Sequence, residues 1–401
     1  MARSSLARRG AVRFKVRPDD FLVEERMRLP LARSGGFAIY RVRKRGLTSL
    51  EVQERLAALL RVRRSAVTVP ALKDKEAVTV QYVSVRGSGP PRLEADSWSA
   101  EYVGVAERPL SPDDLEGNRF TVVVRDLSDE ERLHVLARVP QVRRHGLPNY
   151  FDEQRFGSRV RGEGYVGKKV LQGDAESALK MHLTAPMAGD PPQVRRFKEQ
   201  AAAHWGEWAR LLELAPQRTN FRSVLTYLKD HPADFKRALD LVTPQLLALY
   251  LAAYQSLLWN RMAARLLEAR LRAHDVAPAA VEVAEERLTL YHELPVALLE
   301  ALRPLRLPLL HRRVAFADPE VERLAALVLQ EEGLTPGHLK ARLLTRAYLP
   351  RGERPLLLFP QEMALLEEGP DEAFSGRWRL TLTLTLPPGS YATLVLKALA
   401  A

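Results

Sequence analysis

The sequence has no cysteine, few asparagines and no apolar run long enough to cross a membrane. Without cysteine, the chain can form no disulfide, no thiolate metal site and no cysteine nucleophile. The most apolar stretch, residues 246–259, is interrupted by Gln255 and Ser256, whereas a membrane-spanning helix needs about 20 apolar residues. The N-terminal arginines are followed by no apolar run and do not form a secretory signal. We therefore expect a cytoplasmic protein with no membrane contact.

Signatures of metal and nucleotide chemistry are also missing. The nine histidines are never paired at the spacing of a zinc site. There is no Gly-x-Ser-x-Gly elbow, and no glycine-rich phosphate loop precedes a helix, which argues against a hydrolase or a nucleotide kinase. We expect no metal and no cofactor.

Positive charge is in excess. The 401 residues include 61 lysines and arginines against 49 acidic residues, which gives a net charge of +12 and a pI near 9.9. Such a balance favours an anionic partner, and the planar guanidinium of arginine can bind two phosphate oxygens at once. The length is that of about two domains, on the usual figure of about 150 residues for each.

The pattern of elements predicts an α+β fold with an insertion. Strands are predicted on either side of Pro18 and at 37–45, 66–69, 78–85 and 121–124, and Thr48 with Glu51 forms a capping box for a helix. Glycines and cations alternate over 157–173, which predicts a mobile basic loop. The chain is then mostly helical to about residue 344. Strict alternation over 378–386 predicts a last strand, followed by a helix over 391–399 that Ser390 caps.

These elements predict one catalytic domain made from both ends of the chain. Residues 1–165 and 346–401 would form it, with a mixed, largely antiparallel sheet and flanking helices. Residues 166–345 would form a mostly helical insertion domain, and the helix at 246–267 is expected to pack back on the catalytic domain. We expect a monomer.

The segment 71–81 carries the first candidate for chemistry. Asp74 lies between Lys73 and Lys75, in the connection between two predicted strands. Neighbouring side chains on extended backbone point to opposite sides, so the two lysines need not neutralise Asp74. On spacing alone a charged hairpin turn is the common interpretation of such a segment, because Asp favours turns. A catalytic carboxylate is the alternative.

A second candidate is the cluster at 146–157. It places Asn149, Tyr150, Phe151, Arg155 and Phe156 within twelve positions. Aromatic rings beside cations suit a site for an unstacked base. A turn whose rings fill the core is the alternative for any one ring, but the combination favours a base-binding site.

Six blocks in this order resemble the TruD-type pseudouridine synthases, which act on tRNA. The blocks run through most of the chain, although Ala71, Glu76 and Asp152 depart from the family's usual residues. They are Lys15 with Pro18-Asp19-Asp20-Phe21-Leu22-Val23-Glu24-Glu25, Lys73-Asp74-Lys75 with Ala77-Val78-Thr79 and Gln81, Gly117-Asn118-Arg119-Phe120, Pro148-Asn149-Tyr150-Phe151 with Gln154-Arg155-Phe156-Gly157, Ala253-Tyr254-Gln255-Ser256-Leu257-Leu258-Trp259-Asn260, and Leu386-Pro387-Pro388-Gly389-Ser390-Tyr391-Ala392-Thr393.

The resemblance implies a pseudouridine-synthase catalytic fold and assigns roles to residues. Asp74 would be the catalytic aspartate, and Lys15 the cation that faces it. Phe21, Asn149 and Tyr391 would contact the target nucleotide, with Phe151 in the ring position of the pocket. From charge and position, we expect further contacts with the RNA backbone from Arg155, Arg159, Arg161, Lys168 and Lys169.

The implied reaction turns a uridine of tRNA, by resemblance uridine 13, into pseudouridine. Atoms are conserved, so the reaction needs neither a metal nor a redox cofactor. Asp74 would either attack the ribose or remove a ribose proton. Two rival interpretations are a catalytically silent RNA-binding or RNA-folding protein on the same scaffold and a single-carboxylate nucleoside or glycoside enzyme that acts on small substrates. The second rival explains neither the positive charge nor the large insertion.

Overall fold

The chain forms two compact units in a computed structural model that describes residues 13–73, 75–217 and 219–401. The first unit runs up to Leu147 and resumes at Leu358–Ala401, and the second is Pro148–Leu357. An α+β unit built from both chain ends and interrupted by a mostly helical one confirms the predicted fold class. The predicted insertion, 166–345, lies inside the second unit.

The first unit is built on a ten-stranded sheet with three helices. Its strands are β1 Phe21–Met27, β2 Leu31–Ala32, β3 Phe37–Arg45, β4 Val67–Thr68, β5 Val78–Arg86, β6 Arg92–Ala95, β7 Trp98–Ala106, β8 Leu115–Leu127, β17 Gln361–Pro370 and β18 Trp378–Leu386. Its helices are α1 Ser49–Leu59, α2 Asp129–His145 and α12 Ala392–Ala400.

The order of strands in this sheet is β17-β18-β8-β1-β5-β3-β7-β2, with β4 beside β5 and β6 beside β7. Strands β1 and β5 are parallel to each other, whereas β8, β3 and β4 run antiparallel to them, as the predicted mixed, largely antiparallel sheet requires. The strand predicted before Pro18 is wrong. The chain instead makes a 3₁₀ turn at Pro18–Asp20, where the Asp20 carboxylate accepts a hydrogen bond from the Arg17 amide.

The last strand follows the predicted alternation, because Leu380, Leu382 and Leu384 are fully buried. Helices α2 and α12 pack on each other, and α2 also packs on β8, β17 and β18. The predicted cap of the last helix is off by one residue. Tyr391, not Ser390, is the N-cap, and the helix begins at Ala392.

Helix α1 packs on another part of the sheet. Thr48 and Glu51 form the predicted capping box. Val52 and Leu56 are buried in the cluster that also contains Tyr40 on β3. Leu59, in the last turn of the helix, is 54% exposed, whereas Leu60 after it packs against this cluster.

The second unit is mostly helical. Its helices are α3 Val166–Gln172, α4 Ala175–Thr184, α5 Pro192–Ala203, α6 Trp208–Leu214, α7 Phe221–Asp230, α8 Phe235–Asp240, α9 Pro244–Ala273, α10 Val296–Leu302 and α11 Pro319–Glu331. Its strands are β10 Arg159–Val160, β11 Gly164–Tyr165, β12 Ala279–Val283, β13 Glu286–Leu290, β14 Arg306–Pro308 and β15 Glu353–Pro355. Two more strands of two residues each, β9 Leu147–Pro148 and β16 Leu357–Leu358, lie where the chain passes from one unit to the other.

Helix α9 is the centre of this unit, and α3 and α11 pack on it. The loop predicted over 157–173 is wrong in its second half, which forms α3. Gly167 suits this helix because a Cβ there would lie 2.3 Å from the Tyr250 carbonyl oxygen, so the glycine lets α3 approach α9. The mostly helical stretch predicted to about residue 344 is interrupted at 279–290, where β12 and β13 form a hairpin. Among the helices of the described ranges, none has the length and hydropathy of a membrane span.

Candidate active site

The segment between β4 and β5, residues 69–77, carries the predicted catalytic block. Both strands predicted on either side of it are found. Strand β4 pairs with the far end of β5, where Thr68 lies opposite Ser84, whereas β5 begins at Val78. Six residues of strand cover about 20 Å at about 3.3 Å per residue. The connecting segment must therefore return over most of the length of β5.

Lys73 in this segment is held by its side chain. Its ammonium lies 2.8 Å from the Glu25 carboxylate, with 8% of the lysine side chain and none of the glutamate side chain exposed. Glu25 lies on β1, beside β5. The other carboxylate oxygen of Glu25 accepts a hydrogen bond of 2.7 Å from the Tyr82 amide on β5. One buried carboxylate therefore joins the segment to two strands.

The backbone of Lys73 is held as well. Its amide donates to the Ser49 hydroxyl at 2.9 Å, and that hydroxyl donates to the side-chain oxygen of Gln81 at 2.8 Å. Ser49 is the first residue of α1, and Gln81 is on β5. Both side chains are fully buried.

Lys75 points elsewhere. Its ammonium lies 3.7 Å from the Glu51 carboxylate, and 57% of its side chain is exposed. The two lysines therefore go to different carboxylates, one buried and one exposed. Asp74 itself lies outside the described residues.

Glu25 sits in a strongly desolvated position. Burial raises the pKa of its carboxyl above the ordinary value, while the charges of Lys73 and Lys44 act in the opposite direction. The Lys44 side chain is also buried and donates to the Leu47 carbonyl at 2.7 Å. Two lysines and one glutamate thus share this part of the interior.

Lys15 and Phe21 lie together, as two of the predicted site residues. The Lys15 ammonium is 4.4 Å from the centre of the Phe21 ring. Phe21 is the first residue of β1 and is 3% exposed, with its ring edge-on to Phe120 at 5.9 Å. Lys15 has a φ of 60°, a left-handed backbone that is unusual for a residue with a side chain.

Tyr391 is in the same unit as Lys15 and Phe21. It is partly buried at the N-cap of α12. The strand before it, β18, ends at Leu386, opposite Asn118, and Asn118 lies opposite Glu25 on the next strand. The end of β18 therefore shares a row of the sheet with the glutamate that holds Lys73.

In the second unit, Asn149 is buried and its side chain is engaged. Its amide oxygen accepts a hydrogen bond of 2.7 Å from the Arg354 guanidinium, and its amide nitrogen donates to the Pro355 carbonyl at 3.2 Å. Arg354 also donates to the backbone oxygens of Asn149 and Tyr150. A single buried guanidinium therefore fixes this segment.

Phe151 is fixed by neighbours on two sides. The Arg354 guanidinium lies 4.1 Å from the centre of its ring, and the Trp259 ring meets it edge-on at 5.7 Å. The Asn260 side chain accepts a hydrogen bond from the Phe151 amide and donates one to its carbonyl, both at 2.9 Å. The ring is 7% exposed.

The five basic candidates of the second unit differ in their partners. Arg155 donates to the Ser256 hydroxyl at 2.9 Å and lies over the Phe151 ring. Arg161 is exposed, and no ion pair in the described ranges involves it. The other three are ion-paired: Arg159 with Glu285, Lys168 with Glu332 at 2.9 Å, and Lys169 with Asp174 at 3.9 Å.

Glu332, the partner of Lys168, has several donors. Burial acts to raise the pKa of its carboxyl, but hydrogen bonds from Tyr254 and Lys168 and the charge of Arg261 bring it below the ordinary value. Lys168 is thereby part of an internal charge network of the second unit.

Several residues that build these sites were missed from the sequence. Glu25, Ser49, Gln81 and Arg354 were not singled out, although Glu25 and Gln81 stand inside the quoted blocks. An acidic residue within a strand of alternating burial was the available signal for Glu25. In residues 13–73, 75–217 and 219–401, no three His, Asp or Glu side chains are grouped so that they could hold a metal ion.

Comparison with known proteins finds similarity over nearly the whole chain. The sequence model of tRNA pseudouridine synthase D (TruD) matches residues 7–399. The tRNA pseudouridine synthase D of Geobacter sulfurreducens is 32% identical over 406 residues, covering 96% of this chain and 92% of that protein. The Aquifex aeolicus tRNA pseudouridine synthase D is 29% identical over 395 residues, covering 97% and 98%.

A solved structure gives the same fold. The crystal structure of a Methanosarcina mazei protein assigned to tRNA pseudouridine synthase D superposes with a TM-score of 0.71, at 22% identity, covering 98% of this chain and 94% of that one. Since the family model spans nearly every residue, including both the segment around Lys73 and the Asn149 block, the chain belongs to the tRNA pseudouridine synthase D family.

Proposed function

We propose that this protein isomerises uridine 13 of tRNA to pseudouridine and that Asp74 is the catalytic carboxylate. The observation that carries the proposal is the family match, which spans residues 7–399 and therefore includes Asp74. The fixed position of Lys73, the residue before Asp74, supports it further, because a catalytic group works best on a rigidly held segment.

The reaction is an exchange of bonds within one nucleotide. The bond from ribose C1′ to uracil N1 breaks, the base turns, and C1′ bonds to C5 of the ring. The proton on C5 leaves and N1 takes one up, so atoms and electrons balance. Asp74 acts on the ribose, either as a nucleophile at C1′ or as a base on a ribose proton. Ordinary glycoside hydrolysis pairs an acid with a second carboxylate, whereas recapture of the uracil here lets one carboxylate suffice.

The remaining predicted residues take supporting roles in this proposal. Lys15 keeps Asp74 ionised, since a cation within about 4–6 Å lowers the pKa of a carboxyl. Phe21, Asn149, Phe151 and Tyr391 are each assigned a contact with the target uridine, which must leave the RNA stack at a cost of a few kcal/mol. The exposed cation Arg161, with Arg155, Arg159, Lys168 and Lys169, contacts phosphates.

The test is to incubate the purified protein with unmodified bulk tRNA and to map every pseudouridine by position. We expect one new pseudouridine at position 13 of some tRNAs and none in the same tRNAs without protein. Tight binding of tRNA with no pseudouridine at any position would instead support a silent RNA-binding protein. Pseudouridine at another position would keep the reaction and overturn the site.

A further inference from the structure

We propose that Glu25 is a positioning residue that, through Lys73, holds the segment bearing the catalytic carboxylate in its working place. This inference rests on the proposed function, and concerns how the site is built. Three observations carry it: a buried charge pair, a hydrogen bond to the backbone next to Asp74, and the length of the connection that must be held.

A buried charge pair ties the side chain of Lys73 to the sheet. Lys73 is the residue immediately before Asp74, and its ammonium meets the fully buried Glu25 carboxylate at 2.8 Å. Glu25 is on β1 and also accepts the Tyr82 amide of β5, so it belongs to the rigid part of the sheet. Lys73 is therefore anchored to the sheet at the position immediately before Asp74 in the sequence.

A hydrogen bond ties the backbone of Lys73 to the sheet as well. The Lys73 amide donates to Ser49, and Ser49 donates to Gln81 on β5. The side chain and the backbone of Lys73 are thus tied to the same sheet by separate contacts. A lysine that only balanced charge would need no such backbone bond.

The length of the segment explains why a tether is needed. Residues 69–77 connect Thr68, opposite Ser84, with Val78 at the start of β5. A connection of this length has many conformations unless its own side chains fix it. A displacement of about 1 Å at a catalytic group can cost about a hundredfold in rate, so the tether should act on kcat.

The experiment compares Glu25→Gln, Lys73→Met and the double variant, each in the full chain. Either single variant leaves one buried charge without its partner, and we expect Tm to fall by roughly 10 °C. The double variant removes both charges, and we expect it to recover most of the loss in Tm. In all three we expect kcat for pseudouridine formation to be about 10–100-fold lower, with KM for tRNA within about twofold of wild type.

The matched control is Asp371→Asn, which disturbs another buried charge pair of the same unit. Arg125 bonds Asp371 at 2.9 Å, with 5% of the arginine side chain and none of the aspartate side chain exposed. We expect this variant to have a lower Tm than wild type but an unchanged kcat. If the double variant regains kcat together with Tm, the charge pair serves only stability and the inference is overturned.

Hydrogen exchange gives a readout that does not need activity. In the peptide that covers residues 70–77, we expect faster exchange in Glu25→Gln, in Lys73→Met and in the double variant, but not in Asp371→Asn. Unchanged exchange in the double variant would overturn the tether whether or not wild type is active. Failure of the proposed function would give a different result, because the wild-type protein itself would then form no pseudouridine.

Discussion

The two segments that carry predicted site residues, one in each unit, are held by different chemistry. In the first unit, Lys73 is tied to Glu25 by opposite charges in a desolvated place. In the second, Asn149 and Phe151 are held by the guanidinium of Arg354 and the side-chain amide of Asn260. Neither segment lies in a regular helix, and each is fixed by a residue far away in sequence.

Because the two segments are held by different contacts, we expect them to respond differently to substitution of the residues that hold them. A buried charge pair is costly to break on one side only, because the remaining charge has no partner, and much less costly to remove as a pair. A guanidinium that serves several backbone and side-chain oxygens cannot be replaced by a neutral pair, because each oxygen would lose its donor. The first segment should therefore tolerate the replacement of both charged residues by neutral ones. No such paired replacement exists for the second segment.

The largest effect among the tests of this comparison is expected for Arg354→Ala. It removes the donor to Asn149 and Tyr150 and the cation over Phe151. We expect a loss of about 2–4 kcal/mol in the free energy of unfolding and roughly a 10–100-fold fall in activity of the folded protein. Denaturant unfolding and pseudouridine formation measure the two.

Two variants sharpen the Arg354 result. Arg354→Lys keeps the charge but not the planar fork, and we expect it to recover little of either loss. Arg306→Ala removes a half-exposed arginine on the neighbouring strand β14 and should change stability by less than about 0.5 kcal/mol. If Arg354→Ala behaves like Arg306→Ala, the guanidinium does not hold the segment.

A smaller effect is expected for Tyr391 in the first unit. Tyr391→Ala should lose about 1–3 kcal/mol of base contact, whereas Tyr391→Phe should be mild because stacking survives. Steady-state kinetics on tRNA measure both. Tyr102→Ala, which removes an exposed ring from the same unit, should leave activity unchanged. A large fall in Tm for Tyr391→Ala with full activity of the folded protein would mean that the ring only fills the core.

The smallest effect per residue concerns salt. For about six phosphate contacts, tRNA affinity should fall roughly a thousandfold between low and moderate salt. Arg161→Gln should reduce the slope of log affinity against log salt by about 0.7–0.9, because Arg161 is exposed and free of ion pairs in the described ranges. Lys168→Gln should change the slope less, since Lys168 faces Glu332. Equal slopes for wild type and Arg161→Gln would place the RNA on another face.

Local patterns in the sequence predicted the local elements well. The strict alternation of β18, the capping box of α1 and the strand Phe37–Arg45 depend on neighbouring residues, and all three are found. Helix α3 was mistaken for a loop because its glycine was interpreted as a sign of flexibility. Gly167 is instead a packing residue, and the surface it fits belongs to α9, more than eighty residues along the chain.

Contacts between distant residues could not be predicted. The Glu25–Lys73 pair depends on the course of the segment 69–77 across the sheet, and no spacing in the sequence gives that course. The Asn149–Arg354 pair joins residues 205 apart in the chain. The sequence identified the residues expected to meet the uridine, whereas the residues that hold them are visible only in the fold.

The most direct test of the account is Asp74→Asn on a single tRNA that wild type modifies. Replacing the carboxylate by its amide keeps size and shape but removes the charge with which Asp74 would act as a nucleophile or as a base. We expect tRNA affinity and Tm close to wild type, and no pseudouridine at position 13. A variant that still forms pseudouridine at more than a small fraction of the wild-type rate would contradict the assignment of Asp74 as the catalytic carboxylate.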